Sequence, residues 1–407
     1  MTSSPFVIER RDWFGIILLF LVMMISGGNH LFPRNPICLL IIAGYSLKIY
    51  RLNNGITLKY VSSKLWLFIT IFLVIIVSQT ILGGNLDSAA LAALSSVIAS
   101  LFVYTYYKYK GIDALIADIT VLLKIFIILG LISFLLYTFT PDLFSKYTFI
   151  DSYGDKRSVS HIAFLFYKGL DIQGLSSRLY GFFWEPGIFQ IYLNIFLLIQ
   201  IFYFRQKLWI VATLLAIYLT KSTTGYLIAI IILGYISARF FYKERNLYSS
   251  VSILCTTIIA LFFVWNNIVS VNVEEKVAGA QSGSFFVRQA DVIAGLSIAA
   301  QNPVIGIGAN TDRFKQMRSK ITWQGKLSGS KTKDSGTTNG IISLMYIWGI
   351  PFSLWYLWAL IKQNILYKNR WLMAILLILS LSSEPLAMTP FFLLFVYSGL
   401  DAKTINN

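Results

Sequence analysis

Charge is scarce in this chain: 13% of its 407 residues are Asp, Glu, Lys or Arg, where a soluble domain carries about a quarter. That deficit excludes a water-soluble globular enzyme. Cysteine and histidine are scarcer still, with two of each. Cys38 and Cys255 sit inside apolar runs, where each is expected to pack as a small apolar residue, and His30 and His161 are far apart. Zinc spacings and a histidine-based metal site are therefore not expected. The sequence also lacks GxxxxGK[ST], a GxGxxG after a strand, HExxH, GxSxG and a metal-binding Asp-x-Asp pair. Nothing points to a nucleotide site, a metal or another cofactor.

What fills the chain instead is apolar and aromatic: 57% hydrophobic residues, 31 Phe, 23 Tyr and 10 Trp, with a mean hydropathy of +0.69. These residues come in runs of about 18 or more, each long enough to cross a bilayer as a helix. The pattern predicts an all-α polytopic membrane protein, one domain over 1–407, with about twelve transmembrane helices. The spans fall near 13–32, 36–50, 65–82, 88–107, 118–139, 187–204, 208–220, 225–242, 249–266, 339–361, 371–384 and 387–400. Glu384-Pro385 divides the last apolar stretch into a helical hairpin. The first span follows Arg10-Arg11 without an A-x-A-like cleavage site and is expected to stay as an uncleaved first helix.

Basic residues set the orientation. With the N-terminus inside, one face collects seventeen of them, from Arg10, Arg11 and Lys48 through Lys108, Lys110, Arg205 and Lys207 to Lys362, Lys368, Arg370 and Lys403. The short loops of the other face hold only Arg34 and Lys221. The excess of Lys and Arg predicts a cytoplasmic N-terminus. Two long loops on the outer face, 140–186 and 267–338, carry fourteen more basic residues. Connections in a helical bundle usually need only a few residues, so function is expected there. The first loop balances five bases with five acids; the second has nine bases and five acids, which favours an anionic ligand. With the net charge of +16 so distributed, a membrane partner is expected and nucleic acid is not.

Three groups on this face carry chemistry. The block Arg178-Leu-Tyr-Gly-Phe-Phe-Trp-Glu-Pro-Gly187 places Glu185 at a helix N-terminus, because Pro186 suits the first helical position. Two readings stand. Glu185 complements the helix dipole while Phe182, Phe183 and Trp184 form an interfacial belt, or it is a carboxylate desolvated by those aromatics, with a pKa raised toward that of a general base and Arg178 facing it. In the second loop, Val287, Ile293, Leu296 and Ile298 suit a short helix lying on the membrane, opened by Arg288 and ended by Asn302-Pro303. Arg288 is either a surface arginine or a bidentate phosphate ligand at a helix start. Gly306 and Gly308 allow close backbone approach. The polar turns Lys221-Ser-Thr-Thr-Gly225 and Ser335-Gly-Thr-Thr-Asn-Gly340 share the face, and the run Arg313, Lys315, Arg318, Lys320 is expected to be solvated or to face lipid headgroups.

The order of these features, with RLYGFFWEPG, LTKSTTGYL, R-x13-NPVIGIG, TTNG and YIWG between or after twelve spans, resembles the superfamily of O-antigen polymerases (Wzy-type) and O-antigen ligases. The resemblance covers most of the chain in topology and about 50 residues in motif. It implies a glycosyltransferase fold of the C type in the bacterial inner membrane, acting at the periplasmic face on undecaprenyl-diphosphate-linked oligosaccharide as donor and acceptor. A chain-length regulator and a flippase would be its companions. By the same resemblance Arg288 matches the outer-loop arginine that binds diphosphate, and Arg178 the arginine of the preceding loop. Ligases often carry His-Asn where this chain has Thr338-Asn339, which favours the polymerase. The site expected is thus Arg288, Glu185 and Arg178 as catalytic residues, with Lys221, Arg313, Asn302, Gly306, Gly308 and Asn339 as substrate contacts. An O-antigen ligase acting on lipid A-core and a lipid-linked oligosaccharide flippase or transporter are the alternatives; the second expects ionisable residues along the spans, where Lys124 is nearly the only one.

Overall fold

The computed structural model describes residues 12–27, 34–52, 61–83, 88–150, 156–163, 165–167, 178–243, 282–321 and 336–401, with 266, 270 and 274. Helices dominate: α1 Trp13–Ser26, α2 Arg34–Leu52, α3 Ser63–Gly83, α4 Ser88–Lys110, α5 Ile112–Phe139, α6 Pro186–Ile199, α7 Lys207–Thr220, α8 Thr223–Lys243, α9 Ser282–Gln301, α10 Thr311–Ser319, α11 Gly340–Trp348, α12 Ile350–Ile361, α13 Arg370–Ser383 and α14 Pro390–Leu400. Four stretches are long and apolar enough to cross a membrane: Ser63–Leu82, Ser88–Lys110, Ile112–Phe139 and Pro186–Phe204. Several shorter apolar helices accompany them. The span expected near 249–266 lies almost wholly outside the described residues.

Two helices form the centre. Every residue of α14 is buried, and so is every residue of α6 except Gly187. Around α14 pack α1, α4 and α12, and around α6 pack α5, α7, α8 and α13. Aromatic rings join the two: Phe183 stacks on Tyr192 at 4.5 Å between centroids, and Tyr192 meets Phe391 at 4.9 Å. The outer helices behave oppositely and turn large apolar side chains outward, as Ile81, Leu82, Leu208 and Val211 do. So much exposed hydrocarbon suits lipid and not water.

The structure departs from the sequence expectations in three places. The chain is not all-α: the first long loop contains an antiparallel sheet in the order β1 Ser145–Ile150, β2 Lys156–Ile162, β3 Leu165–Tyr167, with Tyr147 opposite Val159 and Ser160 opposite Tyr167. These short runs alternate weakly, and hydropathy windows tuned to spans do not detect them. The expected single span 339–361 is two helices broken at Gly349, whose φ of 89° ends α11 before Pro351 opens α12. The chain also passes through one π turn, Gln200–Phe204, after α6. The break at Glu384, by contrast, does separate α13 from α14.

Charge marks the two ends of the bundle. At one end Asp12, the N-cap of α1, binds Lys48 of α2 at 3.0 Å and also Lys110 and Tyr106 of α4. Lys108 pairs there with Asp401, beyond α14. Lys124 of α5 reaches Gln206 at 2.7 Å and lies 4.9 Å over the Trp209 ring, so its charge snorkels to the connection between α6 and α7. At the other end, which carries the long loops, Ser26 accepts from the Phe391 amide at 2.9 Å and Gly27 from the Trp184 amide at 3.4 Å.

Partial burial works to raise the Asp12 carboxyl, but hydrogen bonds from Lys110, Tyr106 and Lys48 outweigh it and hold the group well below the usual carboxylate range. A depressed carboxyl contributes its stability above the unfolded-state value and loses it as pH falls toward the folded one. Asp12→Asn should therefore lower thermal stability in detergent by about 1 kcal/mol, by the same amount from pH 5 to 8, with the difference from the unsubstituted protein shrinking below the ordinary carboxylate pKa. Melting curves of both proteins across that range check it.

Candidate functional site

The block that opens α6 is used inward. Phe182 and Phe183 are buried, packed on Phe126 of α5 at 4.6 and 5.7 Å, and are not an interfacial belt. Glu185 caps α6 in an extended conformation with no side-chain bond to the helix, and its side chain is exposed. The expectation that the aromatics desolvate this carboxylate is thus overturned: Phe182 and Phe183 are buried in the core, Trp184 packs beside Tyr180 and Val159, and Glu185 stays exposed. Arg178 also turns inward. Its Nε donates to the Thr220 carbonyl at 2.9 Å and its Nη2 to that of Lys221 at 3.3 Å, while the Leu179 amide donates to Leu219 at 2.9 Å. These bonds close the C-terminus of α7, where Lys221 is left-handed at φ 49°. Tyr180 is buried beside Trp184 and Val159 of the sheet, and burial pushes its hydroxyl up to about 12.

The break at Glu384 brings a buried carboxylate to this place. The Glu384 side chain lies against Gly187 in the first turn of α6, and its backbone lies against Gly340, the first residue of α11. From sequence it had served only as a helix breaker.

The second long segment is tied to the mouth of α11 by a buried ion pair. Asp291 of α9 is fully buried; it accepts from Arg318 Nη1 of α10 at 3.1 Å and from the Thr338 amide at 3.2 Å. Burial raises the Asp291 carboxyl, with the Thr338 amide and Arg318 opposing it. Arg318, expected to be solvated, is instead 4% exposed. Arg288, one turn before Asp291, is exposed; α9 begins at Ser282, so Arg288 stands in its second turn and does not open it. Asn339 caps α11, its Oδ1 accepting from the Ile341 and Ile342 amides at 3.0 and 3.1 Å.

Between α9 and α10 the chain folds into the break after α11. Ile307 and Gly308 amides donate to Tyr346 and Ile347, and Ile350 donates to Pro303 at 2.8 Å. Gly306, at φ 70°, packs where a Cβ would stand 2.4 Å from the Ile347 carbonyl oxygen. The Gln79 amide of α3 donates to both Ile305 and Ile347 carbonyls at 2.6 Å. Asn302 ends α9 and touches Met317 through its amide. Gly308 and Arg313 line a cleft of about 750 Å³ against the ends of α3 and α4, and Gly306, Asn302 and Arg313 line a smaller chamber of about 170 Å³ beside it.

The nine expected site residues thus fall into three places on the loop end. Arg178, Lys221 and Glu185 lie around the ends of α6 and α7; Arg288 and Asn339 lie about the mouth of α11; Gly308 and Arg313 line the cleft, and Asn302 and Gly306 the chamber beside it. Sequence reasoning missed Asp291 and Gln79, whose spacing within apolar runs was the only available signal. Among the described residues no cluster of three or more His, Cys, Asp or Glu could hold a metal ion.

These features define a mostly helical membrane-type protein with charged groups at both ends of the bundle and the expected site residues at the end that carries the long loops. Residues 208–357, from α7 through most of α12, match the Wzy_C family, described as O-antigen ligase. The match supports the superfamily of lipid-linked glycan-processing enzymes that polymerases and ligases share. No curated protein matches the chain.

Replacing Asp291 by Ala strands a buried guanidinium, which should cost about 3–5 kcal/mol and release α10. Limited trypsin digestion should then cut near Arg313 and Arg318 at rates well above those of the unsubstituted protein, while Lys320→Ala leaves the rate there unchanged.

Proposed function

We propose that this protein crosses the bacterial inner membrane about twelve times and is an O-antigen or related surface-polysaccharide polymerase. It transfers the growing glycan from undecaprenyl diphosphate to the terminal sugar of the next lipid-linked repeat unit. The loop end faces the periplasm and the basic end the cytoplasm. The observation that carries the proposal is the tie from Asp291 to the Thr338 amide, which fixes α9 on the mouth of α11 with Arg288 exposed one turn away. The family match over 208–357 supports the same reading.

The chemistry asks little of the protein beyond position and charge. Undecaprenyl diphosphate leaves readily once its negative charge is neutralised, so a fixed guanidinium beside the bond that breaks lowers the barrier directly. Arg288 supplies that cation. Arg178, committed by two bonds to the end of α7, adds positive charge from behind, with Lys221 beside it. Glu185 is exposed and free of a capping bond, a suitable place from which to orient the acceptor hydroxyl and accept its proton. Asn339 holds the mouth of α11 in shape. Thr338 stands where ligases often carry histidine, which favours the polymerase. A chain-length regulator and a flippase would act beside it.

Arg288→Ala, expressed in a null strain at the unsubstituted protein level, should collapse the polysaccharide ladder to a single capped repeat on a gel. A normal ladder removes Arg288 from the site, and core without any attached repeat would identify a ligase instead.

A further inference from the structure

Although α6 lies at the centre of an apolar bundle, it carries two amide side chains one turn apart, Gln190 and Asn194, and both are fully buried. The Asn194 Nδ2 donates to the Gln190 carbonyl at 3.0 Å, to Gln190 Oε1 at 2.9 Å and to the Gly225 carbonyl of α8 at 3.3 Å. Three acceptors fix the orientation of that amide, and Gln190 Oε1 is committed to it. What is left over is one acceptor, Asn194 Oδ1, and one donor, Gln190 Nε2, neither with a partner among the described residues. A third such group stands on α13, where Ser380 is fully buried and its Oγ has no partner among the described residues.

The three groups face one junction. Glu384, at the end of α13, lies against Gly187 in the first turn of α6, so the two helices run in opposite directions from the loop end. One turn deeper on α13 is Ser380; one and two turns deeper on the same face of α6 are Gln190 and Asn194. Asn194 is thus about 10 Å beneath Gly187, at 1.5 Å per residue. The third wall is α8, where a Cβ on Gly225 would stand 3.0 Å from the Gln190 Cβ. Beneath Asn194, Leu197 and Leu198 are apolar and fully buried.

Polar atoms without partners are costly inside a bundle that lipid surrounds, and three at one junction call for a common partner. The hydrogen-bond inventory says which. A cation would suit Asn194 Oδ1 but be opposed by Gln190 Nε2, and an anion the reverse. Water donates and accepts at once, and an internal water makes two to four such bonds.

We propose that the junction of α6, α8 and α13 is a buried water site that opens to the loop end through Glu384. Its waters accept from Gln190 Nε2, donate to Asn194 Oδ1, bond Ser380 Oγ and reach the Glu384 carboxylate, which is 7% exposed. The site gives that carboxylate a route for proton exchange within the bundle. Leu197 and Leu198 close it below, so the water ends part-way and gives no passage across the membrane. None of this depends on the polymerase reading, because the site is defined by solvent access and not by glycan.

The test uses the full chain with Cys38→Ala and Cys255→Ala, in nanodiscs, carrying one new cysteine. Silver ion, which is small and travels in water, is the probe, and thiols left unreacted are counted with a maleimide after denaturation. Ser380→Cys should react about tenfold faster or more than Val396→Cys, a fully buried position on α14. Adding Gln190→Met with Asn194→Leu, which dries the site, or Glu384→Leu, which closes its mouth, should each remove most of that difference. Equal rates at the two cysteines overturn the site, and a rate unaffected by Glu384→Leu overturns its opening at the loop end. If the variants melt at a lower temperature, radiolytic hydroxyl labelling of the unsubstituted chain decides. Bound water should mark Ile191, the buried neighbour of Gln190, more strongly than Val396, and equal labelling of the two overturns the proposal.

Discussion

Inside a bilayer no water is at hand for a backbone amide or carbonyl, so every break in a helix must find its partners within the protein. This chain breaks its helices at several points, and most of its loop-end structure follows from closing those breaks. The end of α7 is closed by the Leu179 amide and the Arg178 guanidinium. The gap between α11 and α12 is closed by the Ile307 and Gly308 amides, the Pro303 carbonyl and the Gln79 amide. Two segments that lie outside the spans in sequence therefore become part of the bundle in space.

That closure explains why motif residues with an obvious appetite for anions are divided in their use. Arg178 carries a cation to the loop end, yet two of its nitrogens hold the protein together. Asn339 is a polar residue at a mouth, yet its oxygen caps a helix. Gly306 admits no side chain because a carbonyl from α11 occupies the space. Arg288 and Arg313 differ: the first is exposed on a helix whose neighbour Asp291 is pinned, and the second faces a cleft with part of its guanidinium uncommitted. A rigid support behind an available cation is what recognition of a phosphate needs, since the charge is then in place before the ligand arrives.

The two ends of the bundle use charge differently. At the basic end, Asp12 gathers Lys48 and Lys110, and Asp401 gathers Lys108, which fasten α1, α2, α4 and the end of α14 to one another. At the loop end the one fully buried carboxylate among the described acids, Asp291, gives up solvation to hold α9, α10 and the start of α11 in one arrangement. A buried pair of this kind contributes little net stability but is strongly directional, because either partner alone is costly.

Hydropathy, charge and breakers by themselves were enough for the membrane class, for most of the helices and for the division of α13 from α14. These depend on sums over many residues, and one misplaced residue changes little. They also singled out residues of the long loops, of which Arg178 and Gly306 serve backbone closure and Arg288 stands exposed. The small sheet within 145–167, the break at Gly349, the burial of Arg318 and the placing of Glu384 against Gly187 were decided only in the tertiary structure. Each depends on a contact between residues far apart in sequence, and whether Arg318 is solvated or buried turns on Asp291 lying opposite it, which no local pattern records. The direction of a side chain at a helix end is set by which orphaned carbonyl lies within reach, and that is a property of the packed bundle.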